Sequence, residues 1–368
     1  MCRGVSFKSY NFRGKIPVET SEKIRIGFIG AGGICKSRHL PGLAKCEEAE
    51  VVAVCNRSKE SSEKVAAEFQ IPEIETDWLK LVERDDLDAI FIGTWPYMHK
   101  EMALATLHAG KHCFCQARMC CDLNEARQML QAAQATPNLV NMICPPPHRM
   151  PFEPWIKKTL TDGGIGELTF VEMRSTTSAN LDPNKMTWRE DIEYSGLQAL
   201  AMGIYAETLN AWVGPYETLA ANLSTPIATK MVDGEEVEVK IPQVLSISGQ
   251  LLNGAICHEH HMGVAADTTT PVNEITLFGT EGTIRHAFLS GEIYYGAKGK
   301  PLEKVDVPAE LVEDWQVEKD FIEAVKLARQ GKPWCVSPDF AEGHQYMVKV
   351  HAVHESARLG RSINMVTL

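Results

Sequence analysis

The hydrophobic positions of this chain follow two different rhythms. Up to about residue 146, short unbroken apolar runs recur: "IRIGFIG", "EVVAVCN" (50–56), "LDAIFIGT" (87–94), "KHCFCQA" (111–117) and "NLVNMICPP" (138–146). Between them, "SSEKVAAEF", "HKEMALATLHAG" and "NEARQMLQAAQ" place apolar residues three and four apart, as one face of a helix does. An unbroken apolar run is a strand buried on both faces. Its alternation with helices predicts a Rossmann-type, doubly wound parallel sheet in an α/β fold.

After "CPPPHRMPF" the rhythm changes. "EPWIKKTLTDGGIGE" reads as a helix ended by glycines, "LTFVEMRSTTS" as a strand with alternating faces, and "SGLQALAMGIYAETLNAWVG" as a single helix. The strands "TLAANLSTPIA", "PQVLSISGQLL", "GAICHEHHMG", "NEITLFGTEGTI" and "EIYYG" then follow, with no long helix before "DWQVEKDFIEAVKLARQG". This predicts a large, mainly antiparallel sheet that is open on one face. With 368 residues the chain exceeds one compact core. The expected division is a flexible arm (1–22), a dinucleotide-binding unit (23–147) and a second unit (148–368) for substrate binding and oligomerisation. The open sheet face predicts a homo-oligomer, a dimer or tetramer.

The first strand runs into "GAGGIC", where Gly30, Gly32 and Cys35 fill the positions of G-x-G-x-x-G, with Gly33 and Ile34 between them. Glycines there allow a tight turn and let the backbone approach a pyrophosphate at a helix N-terminus. The second strand ends in Asn56, Arg57 and Ser58, where an acidic residue would grip the ribose of NAD. A cation in its place favours NADP, with NAD as the alternative.

Charge narrows the partners. A net charge of −11 argues against nucleic acid or an anionic membrane surface, which attract clustered Lys and Arg. Eleven cysteines at irregular spacing, with no apolar leader segment in residues 1–22, fit reduced thiols in a cytoplasmic protein. Cys113 and Cys115 share one strand face as small apolar residues, and Cys120 with Cys121 does not form a zinc pattern. In "CHEHH", Cys257, Glu259 and His261 share one face, while His258 and His260 share the other; no metal is expected.

The order of "IGFIGAGGI", "VVAVCNRS", "FIGTWPYMH", "GKHCFCQARM", "GGIGELTFVEMRS", "LFGTEGTI" and "VHAVHESARLGRSI" resembles the Gfo/Idh/MocA family, from about residue 22 to the end. The resemblance implies NAD(P) held between two domains and a sugar, sugar acid, cyclitol or related hydroxy compound as substrate. It places Thr94, Trp95, His99, Gln116 and Ala117 at the cofactor. Two departures stand out. The family's Glu-Lys-Pro triplet is Gln116, Ala117 and Arg118 here, and its Asp and His on a later helix are Ala201 and Tyr205.

Oxidising an alcohol needs a base within reach of the hydroxyl and a donor for the developing oxyanion. The candidates are Tyr205 as proton donor or acceptor, its pKa lowered by nearby positive charge, and Arg118 as substrate clamp. His99 is a further candidate base or positioning group. Tyr97, Arg149, Trp188, Arg189 and Tyr194 are candidate substrate contacts, and the arginines favour an anionic substrate. The lost groups leave two other classes open: a relative without net redox, such as a glycosidase, lyase or isomerase, and a catalytically silent binding protein.

Overall fold

The computed structural model describes residues 23–147, 149, 151–266 and 272–368; the expected arm, residues 1–22, lies outside them. Six parallel strands form the first sheet: β1 (Ile24–Ile29), β2 (Ala49–Cys55), β3 (Glu73–Ile74), β4 (Ala89–Ile92), β5 (His112–Cys115) and β6 (Asn141–Ile143), in the order β3-β2-β1-β4-β5-β6. The helices between them are a π-turn at Cys35–His39 that continues as α1 (Leu40–Leu43), then α2 (Lys59–Phe69), α3 (Trp78–Glu83), α4 (Pro96–His108) and α5 (Leu123–Ala135). Ser58, Asp77 and Asp122 each accept a backbone N–H at the start of α2, α3 and α5, which is why these helices begin where they do.

The second half contributes α6 (Glu153–Thr161), β7 (Leu168–Thr176), α7 (Ile192–Ser195), α8 (Met202–Val213), β8 (Tyr216–Ser224) and the hairpin β9 (Thr229–Val232) with β10 (Glu235–Glu238). β11 (Val244–Leu251), β12 (Ile256–Met262), β13 (Val272–Gly279), β14 (Gly282–Ala287), β15 (Glu292–Ala297) and β16 (Glu303–Lys304) follow, then α9 (Val317–Arg329), α10 (Phe340–Leu359) and β17 (Ile363–Asn364). Nine of these strands form one sheet in the order β16-β15-β14-β13-β7-β12-β11-β8-β17, antiparallel except where β12 pairs with β7. The fold class expected from the hydrophobic rhythm is therefore the one adopted. Alternation along β12 is strict: Cys257, Glu259 and His261 are buried, and Ile256, His258 and His260 are exposed.

Two elements differ from the sequence reading. The helix expected over 195–214 is broken, because Gly196 takes a φ of +61° and its Cα faces the Cys121 backbone too closely for any side chain. Residues 196–201 instead form a loop whose Leu197 N–H donates to Cys121 O at 2.8 Å, and α8 starts only at Met202. Helix α9, assigned by sequence order to the second unit, lies on the first sheet. Its Val317, Phe321, Ile322 and Val325 join the core of Ile24, Ile26, Phe28 and Phe91. The apolar side of that amphipathic helix covers a sheet face that would otherwise meet water.

The interior of the second unit holds paired charges. Glu259 meets Lys349, His261 at 3.1 Å and the Tyr216 hydroxyl at 2.7 Å. Burial works against its carboxylate, but Lys349 and His261 overcome that and hold the pKa down to about 2. Arg149, read from sequence as a substrate contact, is committed here: it pairs with Glu153 and, at 3.1 Å, with Glu207. With Glu153 and Glu207 as partners and only 6% exposure, this guanidinium is held away from a substrate.

Burial raises the Glu207 pKa to about 8, with Arg149 opposing the shift. Below about pH 4.5 this carboxyl is protonated in both the folded and the unfolded chain. Between 4.5 and 8 the unfolded chain releases the proton and the folded chain keeps it, so stability falls as pH rises. Glu207→Gln removes this titration. Urea denaturation from pH 5 to 8 should show the variant gaining on the wild type by on the order of 2–4 kcal/mol across the window; a difference that stays constant would contradict the assignment.

Candidate active site

In the order β3-β2-β1-β4-β5-β6 the chain leaves the sheet in opposite directions from β1 and β4, and a crevice opens at their carboxyl ends. Gly30 closes β1 with a φ of +78°, and a Cβ there would stand 2.7 Å from the Thr94 nitrogen. No other residue fits so near β4. Nothing lies within 4 Å of where a Gly33 side chain would project, so the backbone at the start of the helix faces open space. Unpaired N–H groups at such an end suit an anionic pyrophosphate. Cys35, at the motif's third position, is fully buried against Gly93 and packs the helix onto β4.

The end of β2 fastens this turn. Ala31 N–H donates to Asn56 Oδ1 at 2.7 Å, and Asn56 Nδ2 donates to Ser61 O at 3.2 Å. Ser58 is spent on capping α2. Arg57, between them, is exposed, and no hydrogen bond or ion pair engages it among the described residues. Asn56 thus shapes the cradle, while Arg57 is the group free to meet a ligand.

Beyond β5 the chain runs through Gln116, Ala117 and Arg118, and side chains from both halves of the molecule hold it. His99 is fully buried; its Nδ1 lies 2.9 Å from Arg118 O and 3.2 Å from Met119 O, and its Nε2 lies 2.9 Å from Thr94 O. Burial lowers its pKa. With both ring nitrogens on backbone carbonyls, His99 ties β4 to the segment after β5 and has no nitrogen left to act as a base. Gln116 Oε1 accepts from Ala117 N–H at 3.1 Å and faces His39 Nε2 at 3.4 Å. His39 Nδ1 in turn pairs with Glu318 Oε1 of α9 at 2.5 Å. Sequence reading passed over His39 and Glu318, which lie 279 residues apart and join only in the fold.

Arg118 is 5% exposed, donates to Leu200 O through one Nη, and leaves its Nε without a partner. Burial and then the nearby charge of Arg189 lower its pKa to about 10. Tyr205 sits one turn into α8. Its hydroxyl donates to Asn273 Oδ1 at 2.9 Å, and Asn273 also accepts from Ser175 at 2.6 Å. A cation was expected to depress the Tyr205 pKa; burial instead pushes it up to about 12, with the Ser175 hydrogen bond only partly offsetting this. The phenol faces β7 and β13.

Aromatic side chains wall the crevice from both units. The Trp95 ring stacks on Trp188 at 5.5 Å and meets the edge of Tyr194 at 5.0 Å, and Tyr97 meets Tyr194 at 5.3 Å. The exposed guanidinium of Arg189 lies over the Trp188 ring at 4.4 Å. Of the substrate candidates, the fold therefore gathers Tyr97, Trp188, Arg189 and Tyr194 around Trp95, and sets Arg149 apart in its buried ion cluster.

Comparison with known proteins matches the site's two halves. Residues 24–143 fit the model of an oxidoreductase family with an NAD-binding Rossmann fold, and residues 155–285 fit that of the GFO/IDH/MocA C-terminal domain. The chain is 24% identical to a levoglucosan dehydrogenase of Pseudarthrobacter phenanthrenivorans over 91% of its own length and 96% of that protein. It is 30% identical to a 4-carboxy-2-hydroxymuconate-6-semialdehyde dehydrogenase of Sphingobium over 41% of its length and 46% of that protein. The solved structure of levoglucosan dehydrogenase in complex with NADH and L-sorbose superposes with a TM-score of 0.83 at 22% identity, covering 93% of this chain and 99% of that one. With both domain models matched in order and the glycine turn at the expected crevice, the chain belongs to the GFO/IDH/MocA family of NAD-binding oxidoreductases.

Proposed function

We propose that the chain interconverts an alcohol and a carbonyl on a small hydroxylated substrate, using NADP in preference to NAD. The observation that carries this reading is the open glycine turn at Gly30–Gly33, which abuts the strand end leading into the aromatic wall at Trp95. The residues present fit a dinucleotide: Gly33 and Ile34 offer backbone N–H groups to a pyrophosphate, the Gly30 and Gly32 N–H groups shape the turn by donating to Cys55 O and Gly30 O, and Asn56 braces it. Arg57 meets a 2′-phosphate. Thr94, Trp95, Gln116 and Ala117 line the nicotinamide end, with His99 as a positioning residue. When bound, the dinucleotide supplies the hydride donor or acceptor.

The remaining chemistry belongs to side chains. Arg118 steadies negative charge on the reacting oxygen and stays protonated at neutral pH. Tyr205 is the proton donor in carbonyl reduction and takes the proton back in alcohol oxidation, once its hydroxyl turns from Asn273 Oδ1 to the substrate oxygen. The relatives are named as dehydrogenases of small carbonyl or sugar-type compounds, among them a carboxylated one, which supports the reaction class and an anionic substrate. The outer face of the nine-stranded sheet, where Phe278 and Ile256 are exposed and the Phe170 and Phe278 rings lie 6.1 Å apart, is read as the contact between copies in a homo-oligomer. The ten described cysteines are all free thiols, in keeping with a reducing cytoplasm. No described helix is long and apolar enough to cross a membrane.

Three measurements test this reading. In fluorescence titrations, Arg57→Ala should weaken NADPH binding about 10-fold and leave NADH binding unchanged, since one charge-assisted contact is lost; equal losses would point to NAD as the natural cofactor. Tyr205→Phe should lower kcat for carbonyl reduction by about 100-fold or more with KM little altered. A variant with full kcat would remove Tyr205 from the chemistry. Phe278→Asp should shift the protein to a smaller species in sedimentation; an unchanged mass would place the contact between copies elsewhere.

A further inference from the structure

Several of the most deeply buried cations in this chain are neutralised by carboxylates. Lys230 meets Glu190, Lys349 meets Glu259, and Arg149 meets Glu153 and Glu207. Arg118, 5% exposed, and its exposed neighbour Arg189 differ from these. Neither has an acidic partner among the described residues, although the chain carries a net charge of −11. The carboxylates closest in sequence are all turned to other tasks. Glu190, the neighbour of Arg189, is 1% exposed; it takes the Lys230 ammonium at 2.7 Å and accepts from Thr187 N–H at 3.1 Å. Asp191 accepts from Glu193 N–H at 2.9 Å, and Glu125 accepts from Cys121 N–H at 2.9 Å.

The two guanidinium groups belong to one locality. Arg118 reaches Leu200 O, and the Arg189 carbonyl accepts from Ser195, whose hydroxyl also contacts Gln198 O, so a single loop carries both contacts. The charge of Arg189 acts on Arg118. Arg118 keeps an Nε–H with no acceptor while being 95% buried. A desolvated, unpaired N–H on a charged group costs on the order of 1–3 kcal/mol or more, and like charges add to the cost. An anion that entered this arrangement would offset that cost. The hairpin β9–β10 supports it: Lys230, fully buried, also donates to Lys185 O at 3.0 Å, and Met231 N–H donates to Pro183 O at 2.9 Å, which fixes the loop that presents Trp188 and Arg189.

We propose that Arg118 and Arg189 form a two-sided clamp for a carboxylate, so that the enzyme acts on hydroxy or keto acids and discriminates against the neutral compounds of the same skeleton. The planar guanidinium of Arg118, 5% exposed, matches a planar carboxylate, and the Trp95, Trp188 and Tyr194 rings hold the body of the substrate. This rests on the reading of the crevice as the reaction site, but the clamp is a binding property and is testable without turnover.

The test is calorimetric titration of the protein, with and without NADPH, using two matched pairs: D-glucuronate against D-glucose, and 3,4-dihydroxybenzoate against catechol. At least one acid should bind about 30-fold or more tightly than its neutral partner. Arg189→Met, on the exposed rim, and Arg118→Met should each bring the pair to within a few-fold, with Arg118→Lys intermediate and NADPH affinity unchanged in all three. Should Arg118→Met fail to fold, Arg189→Met decides alone. Acids that bind no better than their neutral partners, or a preference that survives in Arg189→Met, would overturn the clamp. If NADPH does not bind but the acids do, the redox reading fails while the clamp stands; if NADPH binds and the acids do not, the clamp fails and the redox reading stands.

Discussion

The backbone from Gln116 to Cys121 leaves the first sheet inside the molecule, where its polar groups have neither strand nor water to bond, and everything at the site depends on how they are satisfied. Gln116 N–H still reaches Ile92 O at 2.8 Å. Further on the partners are side chains: His99 on the carbonyls of Arg118 and Met119, the Tyr346 hydroxyl on Met119 N–H, and Gln198 on Cys120 O. Two of these come from the second unit. The same bonds that keep the segment from being buried unsatisfied therefore also lock the two units across the crevice, with α10 against α5 and β8 alongside. Gly343 permits this closeness, since any side chain there would meet Ile143 and Met119.

That constraint holds the segment whatever side chains it carries. Ala117 and Ala201 bring no charge to the crevice, yet the segment they frame is held as firmly as one with functional side chains. Tyr205 is buried against Asn273 and Ser175, and burial raises its pKa to about 12. Elsewhere in the interior the chain compensates its charges, as with Glu259 among Lys349, His261 and Tyr216.

Much of the fold was legible from hydrophobic rhythm because that rhythm reports which face of an element is buried. The runs around Ile90 and Phe114 are buried on both faces, as a central parallel strand requires, and Cys257, Glu259 and His261 turn inward as their two-residue period demands. The glycine turn was legible too, since Gly30 answers a local backbone need. The helix break at Gly196 was not, for its cause is the Cys121 backbone, 75 residues earlier in the chain. Nor was the placement of α9: its amphipathic pattern declares that it must cover an apolar face but does not say which one.

The sequence by itself determined the two sheets and the dinucleotide turn. Only the tertiary structure decided what each candidate side chain faces. Arg149 lost its place at the crevice to Glu207, 58 residues away, Arg118 acquired Leu200 at 82 residues, and Tyr205 acquired Asn273 at 68. His39 and Glu318 were joined across nearly the whole chain. Period and propensity are properties of neighbours in sequence, whereas a partner's identity is a property of packing, in which every contact depends on all the others being made.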